Sequence, residues 1–99
     1  MIFVGIDVSK DKHDCFISNS DGEALYKVFT ITNNLEGFHD LYQKISSVMV
    51  DASKVKVGLE ATGHYSYNLL GYLIDKGLTA SYYIVIACLY LFYRLGYAI

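Results

Sequence analysis

The chain lacks a strong charge of either sign and a cysteine pattern, and we expect no signal peptide at its start. Its formal net charge is −2 over 99 residues, so no global basic field marks it as a nucleic-acid-binding protein. The two cysteines, Cys15 and Cys88, match no metal-ligand spacing. We expect both to be reduced thiols of a cytoplasmic protein. Met1 is followed directly by a strand-like run, without the flanks of a signal peptide.

Two apolar runs of the chain each end on a carboxylate. Residues 4–12 read VGIDVSKDK and contain Asp7, and residues 55–64 read VKVGLEATGH and contain Glu60. If both runs are neighbouring parallel strands, Asp7 and Glu60 lie side by side at the carboxyl edge of one sheet, where open α/β sheets bind ligands. Adjacent carboxylates repel each other unless a cation or a proton lies between them. The pair therefore predicts half of a site for a divalent metal such as Mg²⁺.

The length suits one domain at most, and its first third is predicted to form three antiparallel strands. Residues 2–8 are apolar and β-branched, as in a strand buried on both faces. Residues 13–19 and 24–31 flank the dipeptide Asp21-Gly22, which is a strong hairpin signal.

A helix is predicted to follow the third strand. Asn33 can cap it, with Glu36 at the third position as in a capping box. Apolar side chains then recur at helical spacing and predict one buried face. The residues of that face are Leu35, Phe38, Leu41, Tyr42, Ile45 and Met49.

The next elements are a strand at 55–60 and a second helix over 63–76, with Thr62 as its cap and Gly77 as its left-handed stop. A further strand is predicted to start near Leu78. The order β-β-β-α-β-α-(β) fits an antiparallel sheet extended by a right-handed βαβ unit. We therefore predict an α/β fold with the mixed sheet of the ribonuclease H-like class.

The tail, residues 80–99, departs from this pattern. Residues 82–99 hold five of the ten tyrosines and one charge, Arg94. A transmembrane segment is disfavoured because the uncharged stretch 80–93 is shorter than the roughly 20 residues of a membrane span. A fifth strand followed by a buried helix would need a much larger partner surface. The lack of any period, cap or breaker favours a third interpretation, a non-native or frameshifted segment.

Three blocks of the sequence together resemble a known family. They are residues 5–10 (GIDVSK), residues 29–38 (FTITNNLEGF) and residues 58–65 (GLEATGHY). In order and spacing, residues 3 to about 79 resemble the amino-terminal domain of DEDD-type insertion-sequence transposases (insertion-sequence family one-ten). The third block is the most specific of the three.

The resemblance implies a RuvC-like domain in which four acidic residues bind Mg²⁺. Asp7 would be the first of these and Glu60 the second, and both would be catalytic metal ligands. It also implies DNA as the partner, at the ends of a mobile element and at its target, with Mg²⁺-dependent strand cleavage and joining during transposition. Some members of the family use a structured guide RNA. Self-association into a homo-oligomer is a further expectation.

The chain departs from the family pattern after residue 79. It contains no proline for the expected Asn-Pro turn, and no Asp or Glu follows Asp75. The later two acidic ligands and a serine-bearing domain are therefore missing from this sequence. We expect a partial transposase domain over 1–79, truncated or frameshifted beyond it and inactive alone.

Other polar residues near the two carboxylates are candidate contacts to nucleic acid. Lys10 and Lys12 follow Asp7, and His64 follows Glu60, so all three could meet phosphate groups. Their alternative is a solvated surface position. Lys10 and Lys12 could form a local basic patch with two further lysines, Lys54 and Lys56. Turn or surface roles are expected for Asp11, Asp14 and Asp21.

Two function classes compete with the transposase interpretation. An ATP-binding domain of the actin and sugar-kinase type also opens with a strand, an aspartate and a hairpin. That hairpin normally has a glycine two residues after the aspartate, so that the backbone can approach the phosphates closely. This chain has Ser9 at that position. The other alternative is a non-catalytic binding module that dimerises through the aromatic tail, since a large exposed apolar run marks a partner site.

Overall fold

The computed structural model describes residues 1–60 and 65–83. In this part of the chain the elements follow the predicted order, with one short 3-10 helix added. They are β1 (Ile2–Val8), β2 (Lys12–Asn19), β3 (Ala24–Thr32), α1 (Leu35–Val48), the 3-10 helix (Ala52–Lys54), β4 (Val55–Glu60), α2 (Tyr67–Asp75) and β5 (Thr79–Tyr83). The protein is therefore mixed α/β, and a strand does follow Leu78 as predicted.

The strands form one mixed sheet in the order β3-β2-β1-β4-β5. β1 pairs antiparallel with β2, and β2 pairs antiparallel with β3. β4 lies parallel to β1 on one side and parallel to β5 on the other. As a result β1, β3, β4 and β5 all point the same way, and their carboxyl ends meet at one edge of the sheet.

Both helices cover the same face of this sheet. Strand residues alternate between the two faces, and the alternate residues Val4, Ile6 and Val8 of β1 belong to one buried cluster with Leu41 of α1 and Leu73 of α2. The rings of Phe38 and Tyr72 lie 5.7 Å apart between the two helices. Burial of this apolar set is the main source of the fold's stability.

The start of α1 differs from the prediction by one residue. Asn34, not Asn33, is the N-cap, and its side chain accepts a hydrogen bond of 2.9 Å from the backbone N–H of Gly37. The predicted capping box between Asn33 and Glu36 is therefore wrong. The cap lies one residue later because the side-chain amide of Asn33 donates hydrogen bonds to two backbone carbonyls elsewhere.

The start of α2 also differs from the prediction. The helix begins at Tyr67 with Ser66 as its N-cap, later than the predicted start, whereas Thr62 and Gly63 lie outside the described residues. The predicted stop is confirmed, because Gly77 follows the helix with a φ of 82°. The predicted hairpin turn is confirmed as well, with Gly22 at the same φ.

Most of the predicted apolar face of α1 is confirmed. Phe38, Leu41 and Ile45 are buried, but Leu35 at the first position of the helix is 70% exposed. The periodic pattern therefore overestimates burial at this first position, although Gly37 and Phe38 of the same turn are buried. No helix within the described residues has the length and apolarity needed to cross a membrane.

Candidate functional site

The carboxyl edge of the sheet brings together the ends of the two strands that carry the predicted metal ligands. β1 and β4 pair in parallel from Ile2 with Val55 to Ile6 with Leu59. Asp7 and Glu60 are the next residue on each strand, so their backbones occupy adjacent register positions. The predicted side-by-side arrangement of the strands is therefore present. Asp7 is half-buried, and the Glu60 side chain lies outside the described part.

Asp14 occupies the position directly opposite Asp7 on the other side of β1. It is a half-buried strand residue, and its carboxylate accepts a hydrogen bond of 2.6 Å from the hydroxyl of Thr30. The expectation of a turn role for Asp14 is therefore wrong, whereas its partly exposed position agrees with the expected surface role. The signal that could have found it is the tight connection between β1 and β2, which fixes the antiparallel register and so places Asp14 beside Asp7.

A buried histidine makes a hydrogen bond to the turn between β1 and β2. His13 is fully buried, and its Nδ1 atom accepts a hydrogen bond of 3.2 Å from the backbone N–H of Ser9. The ring proton is therefore on Nε2, which makes no hydrogen bond of normal geometry to any described residue. The Ser9 hydroxyl in turn donates to the Lys12 carbonyl. Sequence reasoning missed this histidine because it lies at an apolar position of β2.

Burial lowers the pKa of His13 from its ordinary value of 6.5, because the cationic ring would lose its hydration. Weaker effects oppose this shift; they come from the Asn33 side chain, the Lys12 backbone and the carboxylates of Asp14 and Asp7. The buried ring is therefore neutral at neutral pH, which is the form that can accept the Ser9 hydrogen bond.

Asn33 connects the turn after β1 with the segment that leads into α2. Its Nδ2 atom donates to the carbonyl of Lys10 at 2.9 Å and to the carbonyl of Tyr65 at 3.2 Å. Its backbone N–H donates to the carbonyl of Asp11 at 2.9 Å. One side chain thus contacts the chain downstream of Asp7 and the chain downstream of Glu60.

The lysines that were predicted to form one basic patch lie at opposite edges of the sheet. Lys10 and Lys12 are exposed at the carboxyl edge, beside the end of β1. Lys54 directly precedes β4 and Lys56 is its second residue, so both belong to the amino edge. A six-residue strand spans roughly 20 Å, which separates the two pairs. The four-lysine patch is therefore wrong, and His64 lies outside the described residues.

The described residues at this edge do not by themselves form a metal site. Carboxylate oxygens are the ligands that Mg²⁺ prefers, and Asp7 has one at the edge. Among the described residues, however, no group of three or more acidic, histidine or cysteine side chains could hold a metal ion. Cys15 adds nothing to the site, since it is fully buried and burial raises its pKa, which keeps the thiol protonated.

A groove of about 510 Å³ opens beside this edge, between the first turn of α1 and the length of α2. Its lining contains the aromatic residues Phe38, Tyr67 and Tyr72. Asn33, which donates to the carbonyls of Lys10 and Tyr65, also lines the groove. Asp75 is the charged residue of the lining, and no lysine takes part. The groove therefore adds no phosphate-binding charge to the edge.

Comparison with known proteins adds one clear match. A sequence model of a family described as transposase, the DEDD type of insertion sequence IS110, matches residues 4–88. No curated protein sequence matches the chain. Among solved structures, the chain is similar to the crystal structure of the Aquifex aeolicus member of the Ppx/GppA protein family, with 13% identity and a TM-score of 0.45. That alignment covers 86% of this chain and 35% of the other.

Proposed function

Because the chain belongs to the DEDD transposase family of insertion sequence IS110, we propose that it carries the first half of a divalent-metal site for DNA transposition. Asp7 and Glu60 are the metal ligands in this proposal, and DNA is the partner. The family match favours this function over an ATP-binding domain or a non-catalytic dimerisation module.

The observation that carries the proposal is the parallel register of β1 and β4. It brings two carboxylate-bearing positions to adjacent strand ends at the edge where open α/β sheets bind their ligands. Asp14 adds a third carboxylate at the same level of the sheet. Carboxylates at neighbouring strand positions repel one another, and a bound cation would relieve that repulsion.

The donor set fits Mg²⁺ in chemistry and falls short in number. Oxygen ligands suit this ion, which keeps several of its waters when proteins supply few carboxylates. When bound in a complete site, the metal supplies charge stabilisation for an in-line displacement at a phosphodiester. Asp7 and Glu60 would hold it, and the exposed Lys10 and Lys12 would bind the phosphate backbone nearby.

Lysine substitutions test the DNA part of the proposal. The double variant Lys10→Ala/Lys12→Ala removes two charges at the carboxyl edge, whereas Lys54→Ala/Lys56→Ala removes two at the amino edge and is the matched control. We expect the first variant to weaken duplex binding and to reduce the salt slope of the logarithm of affinity by about 2. An equal effect of the two double variants, or a tight complex insensitive to salt, would contradict the assignment of this edge to DNA.

The 99-residue chain alone is not expected to cut DNA. Two carboxylates leave a catalytic metal pair under-ligated, so binding is weak and the attacking group is not held. Supercoiled plasmid incubated with the chain and Mg²⁺ or Mn²⁺ should stay uncut. Cleavage that disappears in Asp7→Ala would overturn this expectation.

Four finer expectations belong to the same proposal. The strand and helix order supports a ribonuclease H-like, RuvC-like fold, with Asp7 on the first strand and Glu60 on the fourth. A structured guide RNA and self-association are partners that the family resemblance implies. A cytoplasmic location fits a protein that acts on DNA.

A further inference from the structure

We propose that the groove between α1 and α2 binds an unpaired base of the DNA strand whose phosphates contact Lys10 and Lys12. The inference rests on the proposed function, because it names the part of the DNA that a second surface beside the same edge recognises. Cleavage and joining require a strand to leave one duplex before it enters another. Unpaired bases are therefore present during the proposed reaction.

The groove lies beside the edge that carries the two lysines. Asn33 lines the groove and donates a hydrogen bond of 2.9 Å to the carbonyl of Lys10. Lys12 follows two residues later at the start of β2. A strand whose backbone contacts these two lysines therefore runs next to the groove.

The size and the lining of the groove suit a flat aromatic ligand. Its volume of about 510 Å³ lies within the roughly 300–1,000 Å³ of small-ligand sites. Tyr67 on the α2 wall is 63% exposed, and Leu35 on the α1 wall is 70% exposed. Exposed apolar side chains that lie together are typical of a contact surface. Every base has a flat π-face, and stacking on aromatic side chains is a common way for proteins to hold single strands.

The charge of the lining favours a base over a phosphate. Asp75 is its charged residue, and no lysine or arginine of the described part of the chain lines the groove. A carboxylate repels phosphate, but it accepts hydrogen bonds from the N–H groups of a base edge. The amide of Asn68, which also lines the groove, offers both donors and acceptors. The phosphates therefore stay at the lysines while a base enters the groove.

Gly71 keeps the middle of the groove open. It lies in the interior of α2, where glycine lowers helix stability relative to alanine. Close packing does not require this glycine, since no atom lies within 4 Å of a Cβ atom placed there. At Gly5 and Gly37, by contrast, a Cβ atom would overlap a neighbouring group. Access for a ligand is a reason for Gly71 that packing does not supply.

The aromatic wall of the groove is already in place without a ligand. The ring of Tyr72 lies 5.7 Å from that of Phe38 and 6.4 Å from that of Tyr42. The Nζ atom of Lys76, which does not line the groove, lies 5.4 Å from the centroid of the Tyr72 ring. A wall that is ordered in advance loses little conformational freedom when a ligand binds.

The test measures the affinity of the 99-residue chain for a short single-stranded oligodeoxynucleotide and for the same sequence as a duplex. Gly71→Leu places a side chain in the groove, and Tyr67→Ala removes an exposed ring. Ile74→Ala is the control, since Ile74 is 52% exposed on α2 but does not line the groove. We expect the two groove variants to bind the single strand about tenfold more weakly, with unchanged affinity for the duplex. Ile74→Ala should bind both like wild type.

The melting temperature of Gly71→Leu separates a blocked groove from a damaged fold. Leucine favours a helix more than glycine does, and the added side chain enters open space. The variant should therefore melt no lower than wild type while its affinity for the single strand falls. Equal losses of affinity for the single strand and the duplex would overturn the assignment of the groove to an unpaired base.

Salt dependence separates this inference from the proposed function. The groove variants remove no phosphate contact and should keep the salt slope of wild type, whereas Lys10→Ala/Lys12→Ala reduces it. If the lysine variant binds more weakly and both groove variants bind the single strand like wild type, the base site is wrong and the DNA edge stands. If wild type binds neither the single strand nor the duplex, both proposals fail.

A titration of the wild-type protein keeps the inference testable even if a variant does not fold. When the single strand is added, the backbone amide signals of Asn68 and Gly71 should shift more than that of Ile74. Shifts that are confined to the turn around Lys10 and Lys12 would overturn the inference.

Discussion

The helix-covered face of the sheet and its opposite face are built from different residue types. On the covered face, β1 places Val4, Ile6 and Val8 against the helices, and all three are buried. On the opposite face the same strand carries Phe3, Gly5 and Asp7 instead. β2 follows the contrast only in part, because on that opposite face it carries Asp14 and also Phe16, which is fully buried.

The difference indicates that the helix-covered face serves stability and that the charged positions on the opposite face serve binding. A continuous apolar face gains free energy from burial, whereas charged residues in register on the other face lower stability unless a ligand compensates them. Asp7 lies on the opposite face, at the carboxyl edge of the sheet. Each substitution below tests whether the two faces differ in this way.

Leu41→Ala should have the largest effect, because it removes a fully buried side chain of α1 from the covered face. We expect the free energy of unfolding to fall by about 2–5 kcal/mol. The matched control is Leu35→Ala on the same helix, where the side chain is 70% exposed and the expected change is within about 0.5 kcal/mol. Urea unfolding measures both, and equal losses would contradict the assignment of the core to this face.

Gly5→Ala should have the next largest effect, on the opposite face. A methyl group at Gly5 would overlap the ring of Phe16, which is fully buried, and overpacking of this kind costs about 1–3 kcal/mol. Gly71→Ala is the control, since no atom lies within 4 Å of a Cβ there, and a helix gains about 1 kcal/mol from that change. The double variant Gly5→Ala/Phe16→Leu should recover part of the loss. A Gly5→Ala protein as stable as wild type would contradict the close packing of Phe16.

His13 is the polar exception on the covered face and should make stability depend on pH. The unfolded chain titrates near 6.5 and the native ring titrates below that value, so the unfolded state binds more protons in between. The free energy of unfolding should therefore fall as pH drops below 6.5, by at most about 1.4 kcal/mol per pH unit, and level off below the native pKa. In His13→Gln, which keeps an acceptor for the Ser9 N–H, this slope should be smaller. Unfolding curves at about pH 7.5 and about pH 5.5 measure it, and identical slopes would show that His13 is not the cause.

Asp7→Asn should have the smallest effect on stability. It removes one of two like charges that face each other across β1 and β2, so the free energy of unfolding should stay unchanged or rise by about 0.2–1 kcal/mol. A large loss of stability would instead indicate that Asp7 serves the fold. The control is Asp21→Asn in the exposed hairpin turn, where no opposing carboxylate is in register.

Strand positions were predictable from sequence because local signals agree there. The apolar run of β1, the Asp21-Gly22 turn and the Gly77 stop each act within a few residues, and each is present as predicted. The parallel neighbours β1 and β4 were also predictable, because an α-helix of suitable length connects the hairpin unit to β4. From these two strands the adjacent positions of Asp7 and Glu60 follow directly.

The remaining features depend on contacts that sequence spacing does not encode. Two asparagines stand next to each other before α1, and either can cap a helix; the choice of Asn34 depends on the distant carbonyl of Tyr65, which Asn33 binds. From the sequence alone His13 is an ordinary strand residue, because its hydrogen-bond partner, the Ser9 N–H, is known only from the structure. The split of the lysines between two edges, by contrast, follows from the predicted parallel strands, because Lys54 and Lys56 lie at the start of β4 whereas Lys10 and Lys12 follow the end of β1.

The most direct test of the central claim, that Asp7 and Glu60 bind a divalent cation, is a Mn²⁺ titration of the wild-type chain followed by amide line broadening. The account predicts broadening that is confined at low Mn²⁺ to the ends of β1 and β4, is lost in Asp7→Asn and is retained in Asp21→Asn. Broadening spread over all exposed carboxylates, or unchanged in Asp7→Asn, would contradict it.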